Sequence, residues 1–169
     1  MSKLNVMCGI PGSGKSYWIE KHITASDKYI SRDEIRFSKI KENEDYFSHE
    51  DEVFKIFIDQ IQKSIKQECY NNIFIDATHI NKSSRNKLFY NIGNIWLNKV
   101  EEINLIYIKT SLDVAIERNS KRIGRKYVPE DTIKNMYKNL RLPNEDEIYI
   151  DCLYTIEENK PIQCYRFKR

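Results

Sequence analysis

The sequence predicts an α/β domain, a central parallel sheet flanked by helices, with residues 1–169 in a single unit. Short apolar runs alternate with segments of helical period along the chain. The first run is followed at once by Gly9-Ile10-Pro11-Gly12-Ser13-Gly14-Lys15-Ser16, which fits the pattern G-x-x-x-x-G-K-[ST] in full. With glycine at about 7% of residues, four such fixed positions coincide by chance in roughly one chain per hundred or fewer.

Each element has its own signal. Leu4 to Cys8 is a mostly apolar run suited to a buried parallel strand, and Ser16 to Ile23 reads as a helix, so the octapeptide stands between strand and helix. Lys28 to Ile30 is a short strand running into a short helix around Ser31 to Arg36. After a polar stretch from Lys39 to Glu50, Phe54, Phe57, Ile58, Ile61 and Ile65 mark the apolar stripe of a long helix. Ile73 to Ile75 is a strand ending at Asp76, and Leu88, Ile92, Ile95 and Trp96 mark the next helix. Ile103 to Ile108 is a further strand. Thr110-Ser111-Leu112-Asp113 has capping-box spacing and opens a helix expected to end near Gly124. Val128-Pro129-Glu130-Asp131 is a new helix start, with Ile133, Met136, Tyr137 and Leu140 as its buried face. Alternating runs at Tyr149 to Ile156 and Ile162 to Phe167 are closing strands around a turn at Glu157 to Pro161.

Composition narrows the function classes. A net charge of +3, from 28 basic and 25 acidic residues, announces no polyanion partner, so an anionic substrate must be held by a local cluster. There is no signal-peptide profile and no apolar stretch of membrane-spanning length, so the expectation is a cytoplasmic protein without membrane contact. Cys8, Cys69, Cys152 and Cys164 are scattered and do not pair with His22, His49 or His79, which points to reduced, packed thiols and no zinc site. No segment marks an obligate protein partner.

The octapeptide is a phosphate-binding loop for a nucleoside triphosphate. Gly9, Pro11, Gly12, Ser13 and Gly14 are its nucleotide-binding residues, the glycines letting successive backbone N–H groups turn inward to cradle phosphate oxygens, while Lys15 reaches the β- and γ-phosphates and the Ser16 hydroxyl binds Mg²⁺. No D-x-x-G occurs and no Asn-Lys pair is followed by Asp two positions on, which removes the GTPase pattern. Strand ends gather beside the loop in such a sheet, so Asp33 and Arg36 face the site. Asp33 suits a base that takes a proton from an acceptor hydroxyl, and Arg36 an anionic group on the acceptor. The other reading is that Ser31 and Glu34 form a capping box and Asp33 complements the helix dipole. Asp76 is placed to orient Mg²⁺ directly or through water, although Asp is also a common turn residue. Thr78 is a candidate for the metal shell or the acceptor, and His79 is structural or a minor acceptor contact. Arg118 and Arg122, four apart on one helix face within the basic run to Lys126, form an arginine-bearing lid that neutralises a transferring phosphoryl group.

Together the phosphate loop, Arg32-Asp33-Glu34-Ile35-Arg36, Asp76-Ala77-Thr78-His79-Ile80-Asn81, and Arg118-Asn119-Ser120-Lys121-Arg122 running on through Val128-Pro129 to Met136-Tyr137-Lys138 resemble the kinase domain of the bacteriophage 5′-hydroxyl polynucleotide kinases, within the P-loop kinase fold. The resemblance covers about half the chain. It implies that Asp33 is the general base for a 5′-hydroxyl and that Arg36 holds the acceptor's 3′-phosphate. It implies too that Arg118 and Arg122 contact the ATP phosphates, and that DNA or RNA 5′ ends are the acceptors. That family has a carboxylate immediately before the threonine aligned with Thr78, where this chain has Ala77 and carries Asp76 one residue earlier. No D-x-D motif is present, so 3′-phosphatase activity is not expected. A kinase of a small metabolite, nucleoside or sugar is the competing reading, and a nucleotide-gated binding module without transfer chemistry is a third.

Overall fold

A computed structural model describes residues 1–168, so Arg169, the last residue of the expected domain, lies outside the described residues. Six strands form one sheet: β1 (Ser2–Cys8), β2 (Lys28–Ser31), β3 (Asn72–Asp76), β4 (Val100–Lys109), β5 (Cys152–Glu157) and β6 (Gln163–Arg166), in the order β2-β3-β1-β4-β5-β6. Pairing is parallel from β2 through β5, and β6 closes the edge antiparallel to β5. The parallel register follows from composition, because strands buried on both faces need the near-continuous apolar runs that β1, β3 and β4 supply.

Six helices join the strands: α1 (Lys15–His22), α2 (Arg32–Lys39), α3 (Glu50–Gln67), α4 (Lys82–Ile92), α5 (Leu112–Ser120) and α6 (Glu130–Lys138). One sheet face presents Leu4, Val6, Ile73, Ile75, Ile103 and Leu105 to Val53, Phe57, Ile61 and Ile65 of α3 and to Leu88, Phe89 and Ile92 of α4. The other presents Met7, Phe74, Ile106 and Ile108 to Ile19 of α1. A smaller cluster of Ile10, Ile80, Ala115 and Ile133 seats α5 and α6 behind the phosphate loop. Among the described residues no helix is long and apolar enough to cross a membrane.

Several boundaries differ from expectation. The Thr110 hydroxyl does not cap α5 but donates to the Ser13 carbonyl at 3.0 Å, and Ser111 is the cap, accepting from Val114 N–H. The helix stops at Ser120, short of Gly124, because the buried Asn119 amide donates to Val128 O at 2.7 Å and accepts from Val128 N–H at 3.0 Å, pulling the chain back. Gly93 ends α4, so Ile95 and Trp96 fall in a 3₁₀ turn. Tyr149 precedes β5 instead of opening it, and Tyr137 on α6 is exposed. Cys8 and Cys152 are buried, whereas Cys69 and Cys164 are exposed, so only half of the thiols pack.

One buried ion pair holds the segments behind the site. Arg85 of α4 is fully buried, and its Nε and Nη2 donate to Glu147 Oε2 and Oε1 at 2.7 and 2.6 Å. Its Nη1 donates to the carbonyls of His79 and Arg141, both at 3.0 Å. Glu147→Ala is expected to cost about 3–5 kcal/mol, because it strands a buried guanidinium. The double variant Arg85→Met/Glu147→Leu should recover only part of that loss, because the His79 and Arg141 carbonyls lose their donor, as read from urea unfolding midpoints.

Candidate active site

The phosphate loop, Gly9–Ser16, turns between the end of β1 and the start of α1. Gly12 has φ +82° and lies so near α5 that a Cβ would sit 2.3 Å from the Ala115 carbonyl oxygen, so only glycine fits this contact. Lys15 Nζ folds over the loop and donates to the carbonyls of Gly9 and Ile10 at 2.8 and 3.1 Å. Burial pushes the Lys15 ammonium below its usual range, opposed by the charges of Asp76 and Asp33. The buried Ser13 hydroxyl has no hydrogen-bond partner among the described residues and points toward the place a Gly9 Cβ would occupy, 2.6 Å away. An orphaned donor and a lysine held only by backbone carbonyls fit a phosphate chain, which would engage both.

At the neighbouring strand end, Ser16 Oγ donates to Asp76 Oδ2 at 2.8 Å, and the Tyr29 hydroxyl donates to the same oxygen at 2.8 Å. A hydroxyl beside a buried carboxylate fits Mg²⁺, which takes one or two carboxylates and completes its shell with water and phosphate oxygens. Among the described residues no group of three His, Cys, Asp or Glu side chains gathers around a common point. Asp76 thus stands beside Ser16 although Ala77 occupies the position where the resemblance puts a carboxylate. Thr78 joins this loop to the phosphate loop, its carbonyl accepting from Gly9 N–H at 3.0 Å. His79 is structural: it is buried with φ +39°, and its Nδ1 donates to Met7 O at 3.0 Å.

Across the cleft, Ser31 caps α2 by accepting from Glu34 N–H, which leaves Asp33 on the exposed side of the first turn. Asp33 Oδ1 accepts from Arg36 Nη1 at 2.5 Å and from the Tyr46 hydroxyl at 2.9 Å, while Oδ2 makes no hydrogen bond among the described residues. Arg36 differs from the free cation predicted. It is 5% exposed, and its Nε and Nη2 donate to Glu50 Oε2 at 3.1 and 2.8 Å. Its Nη1 also donates to Tyr46 OH at 2.9 Å. The edge that could grip an anion in bidentate fashion is occupied by Glu50, whose Oε1 pairs with Arg32. Arg36 as placed therefore fixes Asp33 first, and any acceptor phosphate must share it with Glu50.

The lid arginines are separated by the early end of α5. Arg118 Nη1 donates to Ser13 O at 3.4 Å and Nη2 to Glu158 at 3.1 Å, whereas Arg122 follows the helix in a turn, with Nη1 on Lys126 O at 3.4 Å. They do not share a helix face, although Arg122 lies near enough to Lys15 to depress its ammonium further. The side chain of Arg125, in the same basic run, lies outside the described residues.

Sequence reasoning missed Tyr29, Arg32, Tyr46, Glu50, Arg85 and Glu147. Period two along β2 places Tyr29 on the same face as Ser31, which pairs with Asp76, so Tyr29 carried a usable signal. Tyr46 and Glu50 reach Asp33 and Arg36 from a different loop and helix and carried none.

The sequence pattern of the family described as AAA domain matches residues 4–143. A curated relative from Autographa californica nuclear polyhedrosis virus, named "Putative bifunctional polynucleotide kinase/RNA ligase", is 28% identical over 166 residues, covering 88% of this chain and 22% of that protein. A chain of the Pnkp1/Rnl/Hen1 RNA repair complex superposes with a TM-score of 0.67 at 21% identity, over 82% of this chain and 44% of that one. A sugar kinase from Janibacter sp. superposes with a TM-score of 0.58 at 12% identity, over 95% of this chain and 88% of the kinase. The two structures share the fold, and this chain spans less than a quarter of the viral relative and less than half of the repair-complex chain.

His79 makes the site's support sensitive to acid. Burial pushes its imidazole down to about 4 from an ordinary value of 6.5, so as pH falls the unfolded chain takes the proton first. Its contribution is intact above about 6.5 and is lost progressively toward 4, on the order of 3 kcal/mol at most. Relative to wild type, His79→Gln should gain stability as pH drops from 7 to 4.5, as measured by urea unfolding at both values.

Proposed function

Because the chain belongs to the AAA domain family over residues 4–143, and its phosphate loop is closed by Lys15, we propose that it is a kinase transferring the γ-phosphate of ATP to the 5′-hydroxyl of DNA or RNA. The observation that carries this reading is the Asp33 carboxylate. One oxygen is fixed by Arg36 and Tyr46, the other is free, and the charge lies near enough to Lys15 to act on it across the cleft. The names of the viral relative and of the RNA repair complex support the acceptor class.

In the proposed reaction the acceptor O5′ forms a bond to the γ-phosphorus as the bond from that phosphorus to the β,γ-bridging oxygen breaks, and ADP leaves. The hydroxyl proton goes to Asp33 Oδ2. Lys15, Arg118 and Arg122 supply the positive charge that the phosphoryl oxygens require, and the phosphate chain is cradled by the Ser13 hydroxyl and by loop N–H groups other than those of Gly9 and Ser13, which donate to Thr78 and Ile10. Ser16 and Asp76 would hold Mg²⁺, whose chemistry when bound is to neutralise phosphate charge. Tyr29 fixes the Asp76 carboxylate from behind.

A kinase of a small metabolite is the second reading, favoured by the engagement of Arg36 with Glu50 and by the sugar kinase that shares the fold. Transfer from γ-labelled ATP in Mg²⁺ to 5′-hydroxyl DNA, 5′-hydroxyl RNA, a nucleoside 3′-monophosphate and a metabolite panel separates the two. Label is expected on the nucleic-acid 5′ ends, and its absence from every 5′-hydroxyl acceptor overturns the proposal. Asp33→Asn is expected to lower kcat by about 10²-fold or more with ADP affinity unchanged. A binding module without transfer chemistry predicts no loss.

A further inference from the structure

Beside Asp33 and Arg36 the chain leaves one large aromatic side chain in solvent. Phe47 is 61% exposed. Its ring meets Tyr46 edge-on, with centroids 4.8 Å apart, and lies 5.7 Å from the Arg36 guanidinium carbon. The turn that presents it is bonded at several points: Phe47 N–H donates to Asp45 Oδ1 at 3.2 Å, Ser48 Oγ to Asp45 O at 2.7 Å, and Glu50 N–H to Phe47 O at 3.2 Å. An open cavity of about 280 Å³ lies against it, lined from Phe47 to Glu52. Tyr46, the ring next to Phe47, bonds the proposed base directly.

An outward-facing ring one side chain away from the group that receives a 5′-hydroxyl proton has the chemistry to bind a flat π-surface. Every nucleobase offers such a face, and stacking on it is tolerant of sequence. Resting on the kinase reading above, we propose that Phe47 stacks on the 5′-terminal nucleobase of the acceptor. Of the polar groups lining the cavity, Ser48, His49 and Glu50 bond Asp45, Glu44 and the two arginines, and Glu52 pairs with Lys39.

The test uses the full chain and two 5′-hydroxyl single strands that differ only at the first residue, one with a base and one with an abasic tetrahydrofuran. Wild type is expected to prefer the base-bearing strand. Phe47→Ala should lower kcat/KM for that strand about tenfold and leave the abasic strand and the KM for ATP unchanged, while Phe47→Trp restores the preference. An exposed ring makes little contribution to stability, so thermal midpoints should match. Equal losses on both strands, or none on either, overturn the stacking assignment while leaving the kinase reading intact. Failure of wild type to label either strand instead overturns the kinase reading itself.

Discussion

The site depends on the buried contact between Arg85 and Glu147. The loop from Asp76 to Ile80 carries the residue that faces Ser16, and its own His79 imidazole ties it to Met7 of β1. Arg85 fixes it, binding the His79 carbonyl from below while a bidentate pair to Glu147 and a bond to the Arg141 carbonyl anchor the segment that leads into β5. Two stretches far apart in the chain, around His79 and from Arg141 to Glu147, converge on one guanidinium. Arg141 N–H then donates to Ile80 O at 2.7 Å, so the same loop is held at both ends of its bend. With that loop set, Thr78 can bond Gly9 and Asp76 can meet Ser16, and two strand ends become one cleft.

How much of this is legible in the sequence depends on how local the cause is. The octapeptide is local, and Gly12, Lys15 and Ser16 lie where the pattern puts them. The central strands follow from short apolar runs, and the apolar stripe of α3 follows from period 3.6. The failures come from contacts between distant segments. Thr110-Ser111-Leu112-Asp113 reads as a cap beginning at Thr110, but the phosphate loop takes the Thr110 hydroxyl and shifts the cap by one residue. The run from Arg118 to Arg122 reads as one helical face, but Asn119 imitates backbone toward Val128 and ends the helix between them. Arg36 reads as a spare cation because its partner Glu50 lies fourteen residues on, past an irregular loop.

The cluster of Asp33, Arg36 and Glu50 shows why charge cannot be assigned from sequence position alone. Glu50 sits in the first turn of α3, where a carboxylate is already favoured by the helix dipole, and it serves two arginines at once. Arg32 and Arg36 share the Glu50 carboxylate, and Asp33 supplies Arg36 with a second one. Arg32 further lies over the Phe54 ring, with its guanidinium carbon 5.1 Å from the centroid. Phe54, expected wholly in the core stripe, is instead partly buried and flanks this cluster.

The cations of the cleft divide by what holds them. Arg36 and Arg85 are each bound at two guanidinium nitrogens by a carboxylate and are buried, so releasing either would strand a charge. Lys15 and Arg122 are held by carbonyl oxygens, and Arg118 by one carbonyl and the exposed Glu158. Such partners are readily exchanged, because a carbonyl carries no net charge and a solvent-exposed ion pair is worth little. A triphosphate offers each of the second group a stronger partner and offers the first group none it can take without loss. The division separates the cations that build the site from those positioned to change partners when a nucleotide arrives, and Arg36 belongs with the builders.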